Sequence, residues 1–331
     1  MNEITSVTAL EEVIGKAPPA IHLKVIDHLD ESALRWLAAS PLMFAGFGGA
    51  EGLHVTLGGG KPGFAGGDAH SLRLPLALLD DPGRARKGLA FGSLFLAPGI
   101  GETLRINGHV AEVTGETLGV AVEQCYVHCA KALIRSDFWT ARPLAEVPHD
   151  PATFVAASRF LALATMDEAG GADLSPKGDP AGTMARLEGG TLLFADRPGN
   201  RRADSHRNII AQPHVAGLLL IPGSDHVAMV EGTAALTTDE AARAPFAVRD
   251  RTPLLVTRVD GARLSLMHSP SLARARLWPL EEKARGIDPA RMFAAHVKLN
   301  KGLKARIAGA VMSIPGLMQK GLDKDYRDNL Y

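Results

Sequence analysis

The chain has little cysteine, few aromatic residues and no net charge, and each shortage removes a class of function. Its 331 residues contain two cysteines, Cys125 and Cys129. Two thiols do not make a disulfide framework, so a reducing, cytoplasmic location is expected. Aromatic residues make up 5%, a thin supply for a surface that stacks nucleic-acid bases. Lys+Arg and Asp+Glu both number 36, which gives no general attraction to nucleic acid or anionic lipid. An anion site must come from local clustering. No run approaches the ~20 apolar residues of a membrane-spanning helix. The opening MNEITSVTALEEVIGK lacks the basic start and apolar stretch of a secretory signal. What is present, 46% hydrophobic and 22% charged residues, suits a globular chain of one large domain or two ordinary ones.

Asp30-Glu31-Ser32 ahead of Ala33, Leu34, Trp36 and Leu37 predicts a helix start. From Pro41 to about Val122, short apolar runs between Gly and Pro (LHVTLGGG, SLRLPLALL, GSLFLAPG) predict strands. Strand-like VEQCYV then passes into HCAKALIRSDFW, which has helical spacing at Ala132, Leu133 and Ser136. A Pro-rich bridge from Arg142-Pro143 to Asp150-Pro151 marks a boundary, after which FLALAT, TLLFAD, AGLLLIPG, VAMVEGTAAL and PLLVTRV resume strand-like text. The division is into residues 1–145, residues 150–285 and a helical, basic tail over 286–331.

The two halves align without a gap over SLFLAPGIGETLRINGHVAEVTGE (93–116) and GLLLIPGSDHVAMVEGTAALTTDE (217–240). Pro98-Gly99 pairs with Pro222-Gly223 and Gly108 with Gly232. One pair of long units implies duplicated domains paired by a pseudo-two-fold, the intrachain form of an isologous dimer. In the tail, Asp288-Pro289 opens a helical pattern through Met292, Phe293, His296, Val297 and Leu299, with six Lys/Arg and no acid between Pro289 and Leu322. Such a helix can meet a membrane or a partner; packing on the chain's own barrel is the expectation.

Two segments carry candidate chemistry. SPKGDPAG follows a strand, and its Ser175 and Lys177 can place donors on a phosphate, with glycine allowing close backbone approach. ADRPGNRRADSHRNI has a Pro198-Gly199 turn followed by Arg201, Arg202 and Arg207, and then by a helix whose N-terminus adds positive potential. Each alone fits a solvated loop. Two such segments at strand ends in one half point to an anionic ligand.

Taken together, SPKGDPAG, ADRPGNRRADSxRNI, the following Pro-x-Val strand and LLLIPG resemble the pyridoxamine 5′-phosphate oxidase-like family of flavin mononucleotide (FMN)-binding split barrels, over about residues 155–240. The first half is similar to that family in its TLRINGHV strand and its closing EQCYVHCAKALIRSDFW. The resemblance implies a mainly β (α+β) fold of two tandem, antiparallel Greek-key split barrels forming an intrachain pseudo-dimer, plus the helical tail. It implies that Ser175, Pro176, Lys177, Asn200, Arg201 and Arg202 hold the FMN phosphate and ribityl, with the backbone of Ala195 and Asp196 near the ring. The first half has HVTLGGGKPG in place of DLSPKGDPAG, and LLDDPGRARKG is shorter than RPGNRR and its surroundings. One composite site per chain is therefore expected, with Arg105, His128, Lys131, Arg135 and Trp139 of the degenerate first half lining its far side and the mirror site lost. Either Lys131 or Arg135 can supply the charge that stabilises reduced flavin.

The expected activity is an FMN-dependent oxidoreductase, acting on an unknown small organic substrate by hydride transfer at the flavin, with a nicotinamide nucleotide as candidate electron donor. The alternative is a non-catalytic flavin- or haem-binding protein of the same fold. Pyridoxamine-phosphate oxidation is disfavoured, since no second basic cluster is assignable to a phosphorylated substrate. Cys125 and Cys129 with His128 and His109 lack a second ligand pair for zinc, so no metal is expected, and Cys129 reads as a packed residue. Gly60-Lys61-Pro62 fits no triphosphate loop, and neither HExxH nor GxSxG occurs.

Overall fold

The computed structural model describes residues 3–18, 21–199, 201–300, 321, 324–327 and 330–331. A two-residue strand β1 (Glu3–Ile4) and helices α1 (Val7–Ile14) and α2 (Glu31–Ala39) precede the first sheet. That sheet comprises β2 (Leu42–Gly49), β3 (Gly52–Gly59), β4 (Gly66–Gly67), β5 (Ser71–Pro75), β6 (Ala90–Leu96), β7 (Thr103–Thr114) and β8 (Thr117–His128). Helices α3 (Lys131–Arg135) and α4 (Pro151–Ala157) lead to the second, made of β9 (Phe160–Met166), β10 (Ala172–Gly178), β11 (Ala185–Glu188), β12 (Thr191–Asp196), β13 (His214–Leu220), β14 (His226–Thr237) and β15 (Leu255–His268). Helix α5 (Asp204–Ala211) joins β12 to β13, and α6 (Glu240–Arg243) follows β14. Helices α7 (Pro270–Ala275) and α8 (Pro289–Leu299) complete the named elements.

The strand orders are β3-β2-β6-β7-β8-β5-β4 and β10-β9-β13-β14-β15-β12-β11, with β1 added on β14. Replacing each strand by its counterpart turns one order into the other. The aligned segments occupy the same strands, and the ladder is broken beside Gly108 in one sheet and at Gly232 in the other. Both Pro-Gly pairs form the turn before the long central strand, with Gly99 and Gly223 at positive φ.

Strand periodicity explains why these runs are apolar on both faces. In β2, Met43, Ala45 and Phe47 fill the first barrel, while Leu42 and Phe44 face the other half. In β9, Leu161 and Leu163 fill the second barrel, while Phe160, Ala162 and Ala164 face back. A strand buried on both sides reads as a continuous apolar run. The barrels pack reciprocally, β6 on β10 and β13 on β3, as an isologous pair would. At the centre, the rings of Phe44 and Phe138 lie 5.4 and 5.3 Å from Phe160.

Helix α2 starts where expected, with the Asp30 side chain accepting from Ala33 N at 2.8 Å and Ala33, Trp36 and Leu37 buried. Helix α8 packs on β8 and inserts Met292 into the first barrel's core. The described part of the basic tail is thus docked on its own barrel; residues 301–320 lie outside the described residues. Among the described residues no helix is long and apolar enough to cross a membrane.

Candidate functional site

The end of β8 and α3 come from the first half, and β10 and the β12–α5 loop from the second. Where they meet is a cavity of about 650 Å³, within the usual ~300–1,000 Å³ of small-molecule sites. It gathers Ser175, Pro176, Lys177, Ala195, Asp196, Arg201 and Arg202 with His128, Lys131 and Arg135. Asn200 lies outside the described residues. Seven Lys/Arg line it against four carboxylates, so in a neutral chain this is a local excess of positive charge.

Two expected positions lie elsewhere. Trp139 stacks edge-on against Phe138 and donates Nε1–H to Ile100 O at 2.6 Å; it belongs to the apolar packing between the barrels because its large ring finds aromatic partners there. Arg105 is fully buried behind the cavity wall. Its guanidinium is 2.7 Å from Asp173 and 3.3 Å from Asp204, and donates to Tyr126 Oη at 2.7 Å and Ser175 Oγ at 3.1 Å. Buried charges need such partners, so Arg105 positions Ser175 instead of facing a ligand. Cys129, expected as a packed residue, lines the cavity.

The basic residues of the second half are braced by acids. Lys177 Nζ lies 3.1 Å and His206 Nε2 3.0 Å from Asp196 Oδ1. Burial alone would raise the Asp196 carboxyl, but His206 and Lys177 outweigh it and hold it well below the usual range. Arg197 Nε donates to Asp179 at 2.6 Å, while Arg135 Nε lies 3.6 Å from the same carboxyl. Burial still pushes Asp179 up to about 6. Arg202 pairs with Asp204 and lies over the Tyr126 ring at 4.4 Å. Arg201 and Ala203, on either side of it, have φ of 58° and 55°, a left-handed region rarely used without glycine and common at functional loops. The expected helix N-terminus is therefore partly screened by its own Asp204.

Lys131 and Arg135 meet the chain's last described residues. Lys131 Nζ is 2.9 Å from Asp325, and Arg135 Nη1 donates to Leu330 O at 2.8 Å. Tyr326 donates to Glu102 at 2.9 Å. Arg135 also donates Nε–H to Gly178 O at 2.9 Å, which clamps α3 onto β10. A side chain at Gly178 would put Cβ 2.0 Å from Ala132 O, so only glycine permits this approach.

At the pseudo-equivalent place, Arg274 Nε donates to Gly59 O at 2.9 Å, and a Cβ at Gly59 would lie 2.7 Å from Ser271 O. There, 3₁₀ turns at Leu76–Leu78 and Pro82–Arg84 stand where the second half has a loop and α5. Leu78 O accepts from Ser271 and Arg274, and Asp80 takes Ser269 Oγ and Ser271 N.

The cavity residues fit a mononucleotide. The cation excess suits a phosphate, Ser175 offers a hydroxyl, and His128 Nδ1 is enclosed with no hydrogen-bond partner among the described residues. Residues not foreseen from sequence also line the cavity: Lys24, Asp204, His206 and Phe293. His206 was within reach, standing on the first turn of the helix after RPGNRR. Lys24 and Phe293 are far away in the chain and carry no local motif.

Residues 148–272 match the family profile described as pyridoxamine 5′-phosphate oxidase. No curated protein matches the chain. Among solved structures, HupZ from Group A Streptococcus is similar at 18% identity, covering 36% of this chain and 94% of that one, with a TM-score of 0.30. An F420 reductase is similar at 17% identity (36% and 98% covered, TM-score 0.28). General Stress Protein 26 from Bacillus anthracis strain Sterne is also similar at 17% identity (35% and 95% covered, TM-score 0.27). The segments SPKGDP and RPGNRR and the strands that carry them fall inside the matched span. Residues 148–272 thus carry a segment of the kind that the pyridoxamine 5′-phosphate oxidase profile describes.

Proposed function

We propose that the chain binds one FMN in this cavity and acts as an FMN-dependent oxidoreductase on a small organic substrate. The observation that carries the reading is the convergence of SPKG, RPGxRR and HCAKALIR, from both halves, on one cation-rich cavity. Ser175, Lys177, Arg201 and Arg202 would hold the phosphate and ribityl, Arg forks suiting phosphate oxygens. The backbone of Ala195 and Asp196 would face the ring, with Lys131 or Arg135 placing positive charge from the first half. Bound FMN supplies the hydride chemistry, and the protein supplies binding, orientation and electrostatics. The two sheets of like strand order support a duplication, with residues 1–145 as the degenerate unit and 150–285 as the phosphate-binding one. At the mirror location, 3₁₀ turns and the bonds of Asp80 and Leu78 to α7 and Arg274 stand in place of the basic loop, which supports a single site. A cytoplasmic setting accords with two free thiols.

The absorption spectrum of the purified protein, with and without added FMN, tests this. Oxidised-flavin bands that bleach with a nicotinamide nucleotide are expected. A Soret band would favour the haem-binding alternative, and a protein that ignores FMN would overturn the reading.

A further inference from the structure

The wall of the cavity contributed by residues outside the family-matched span contains a buried charge with no counter-ion among the described residues. Lys24 is 3% exposed and lines the cavity. Its Nζ donates to Val127 O at 2.6 Å and stands 5.4 and 5.3 Å from the centres of the Tyr126 and Phe293 rings. Among the described residues no carboxylate oxygen lies within ion-pair distance of it. An ammonium has three hydrogens to donate, and a buried one normally finds an acid.

Its position is built, not incidental. Ile26 N donates to Cys125 O at 3.2 Å and Cys125 N to Ile26 O at 2.8 Å, which pins the segment along β8. From α8, the buried His296 places Nδ1 3.2 Å from Lys24 O. Beside Lys24, His128 lines the cavity, and its enclosed Nδ1 has no partner among the described residues. Burial, with Arg105 and Lys24 close by, keeps that imidazole neutral. Pro18, Ile21 and Phe293 give this end of the cavity an apolar lining.

We propose that Lys24 and Phe293, in the wall that His128 shares, form a subsite for an organic acid, with Lys24 taking its carboxylate and Phe293 its apolar body. Calling that acid the substrate rests on the flavin reading; its binding does not. Calorimetry should be run with benzoate, phenylacetate and 3-phenylpropionate on the full chain, both without flavin and with FMN present. At least one acid is expected to bind in both forms. Lys24→Met should weaken it tenfold or more, Lys24→Arg should stay within a few-fold of the native chain, and benzamide should bind more weakly than benzoate. Circular dichroism should show that Lys24→Met is folded, and its loss of FMN affinity, measured by fluorescence, should be much smaller than its loss of acid affinity. Two results overturn the subsite: none of the three acids binds, or Lys24→Met weakens FMN and the acids compete with it, making Lys24 part of the phosphate site. Failure to bind FMN alone would sink the flavin reading and leave the calorimetry without flavin as the test.

Discussion

Arg135 and Arg274 make the same hydrogen bond on opposite sides of the molecule, each donating Nε–H at 2.9 Å to the carbonyl of a glycine at the end of the other half's strand, Gly178 and Gly59 respectively. The contact that closes each barrel on its neighbour is therefore kept on both sides. What differs is the surroundings. Around Arg135 lie Lys177, Arg201 and Arg202 and a cavity; around Arg274 lie the Leu76–Leu78 turn and Asp80, bonded to α7.

That difference separates two glycine substitutions. Gly178→Ala and Gly59→Ala both place a methyl against a backbone carbonyl, an overpacking that costs about 1–3 kcal/mol. Both should lower the melting temperature. Only Gly178→Ala should also weaken FMN, because only there does the displaced helix line the cavity. Titration of both variants checks this; equal effects on FMN would place the site wrongly.

Lys177→Ala combined with Arg201→Ala should reduce FMN affinity by about 3 kcal/mol, roughly a hundredfold, since charge-assisted bonds contribute ~1.5–3 kcal/mol each. Asp196 keeps His206 as a partner, so the fold should survive, and circular dichroism would confirm it. Fluorescence titration that shows unchanged affinity would contradict the assignment.

Much of this was legible in sequence, for physical reasons that also explain the rest. The two-sided burial of β2 and β9 appears directly as unbroken apolar runs, and the Asp30 cap as an acid before a periodic stretch. SPKGDP and RPGNRR are local, contiguous clusters. Trp139 and Arg105 were misplaced because sequence shows residue type but not which side of a wall a side chain occupies. Lys24 and Phe293 join the site through the Ile26–Cys125 pairing and the docking of α8, tertiary events with no local signature. The bracing of Lys177 by Asp196 depends on β10 and β12 ending side by side. Asp196 had been expected to act through its backbone.

Lys24 should make stability depend on alkaline pH. Burial lowers its pKa from 10.5 to about 8. The groups facing it are Tyr126, His128 and Cys129 at the end of β8, Arg105 of β7, Arg202 and Asp204 of the loop, and His296 of α8. Between pH 8 and 10.5 the unfolded chain holds the proton that the folded chain has released, so Lys24 makes the folded state gain stability as pH rises. At pH 7 the charged side chain opposes folding by up to about 3 kcal/mol. Lys24→Met should therefore raise stability at pH 7, and its advantage should shrink above pH 8. Denaturant melts at pH 7 and 10 measure both; a loss of stability at pH 7 would refute this.

Removing Arg105 takes from the buried Asp173 its cation partner, while Asp204 keeps Arg202. Arg105→Ala should cost about 3–5 kcal/mol, as breaking a buried pair does, and should loosen Ser175. Chemical denaturation reads the first effect, and the FMN dissociation rate of whatever folds reads the second. A cost under about 1 kcal/mol would show that the network is solvated.

The most direct test of the composite site is the number of FMN molecules bound per chain at saturation, read from flavin absorbance against protein concentration after removal of free ligand. One per chain is expected, with Lys177→Ala and Arg201→Ala lowering affinity at that one site. Two per chain would show that the mirror location also binds, and none would show that this cavity serves another ligand.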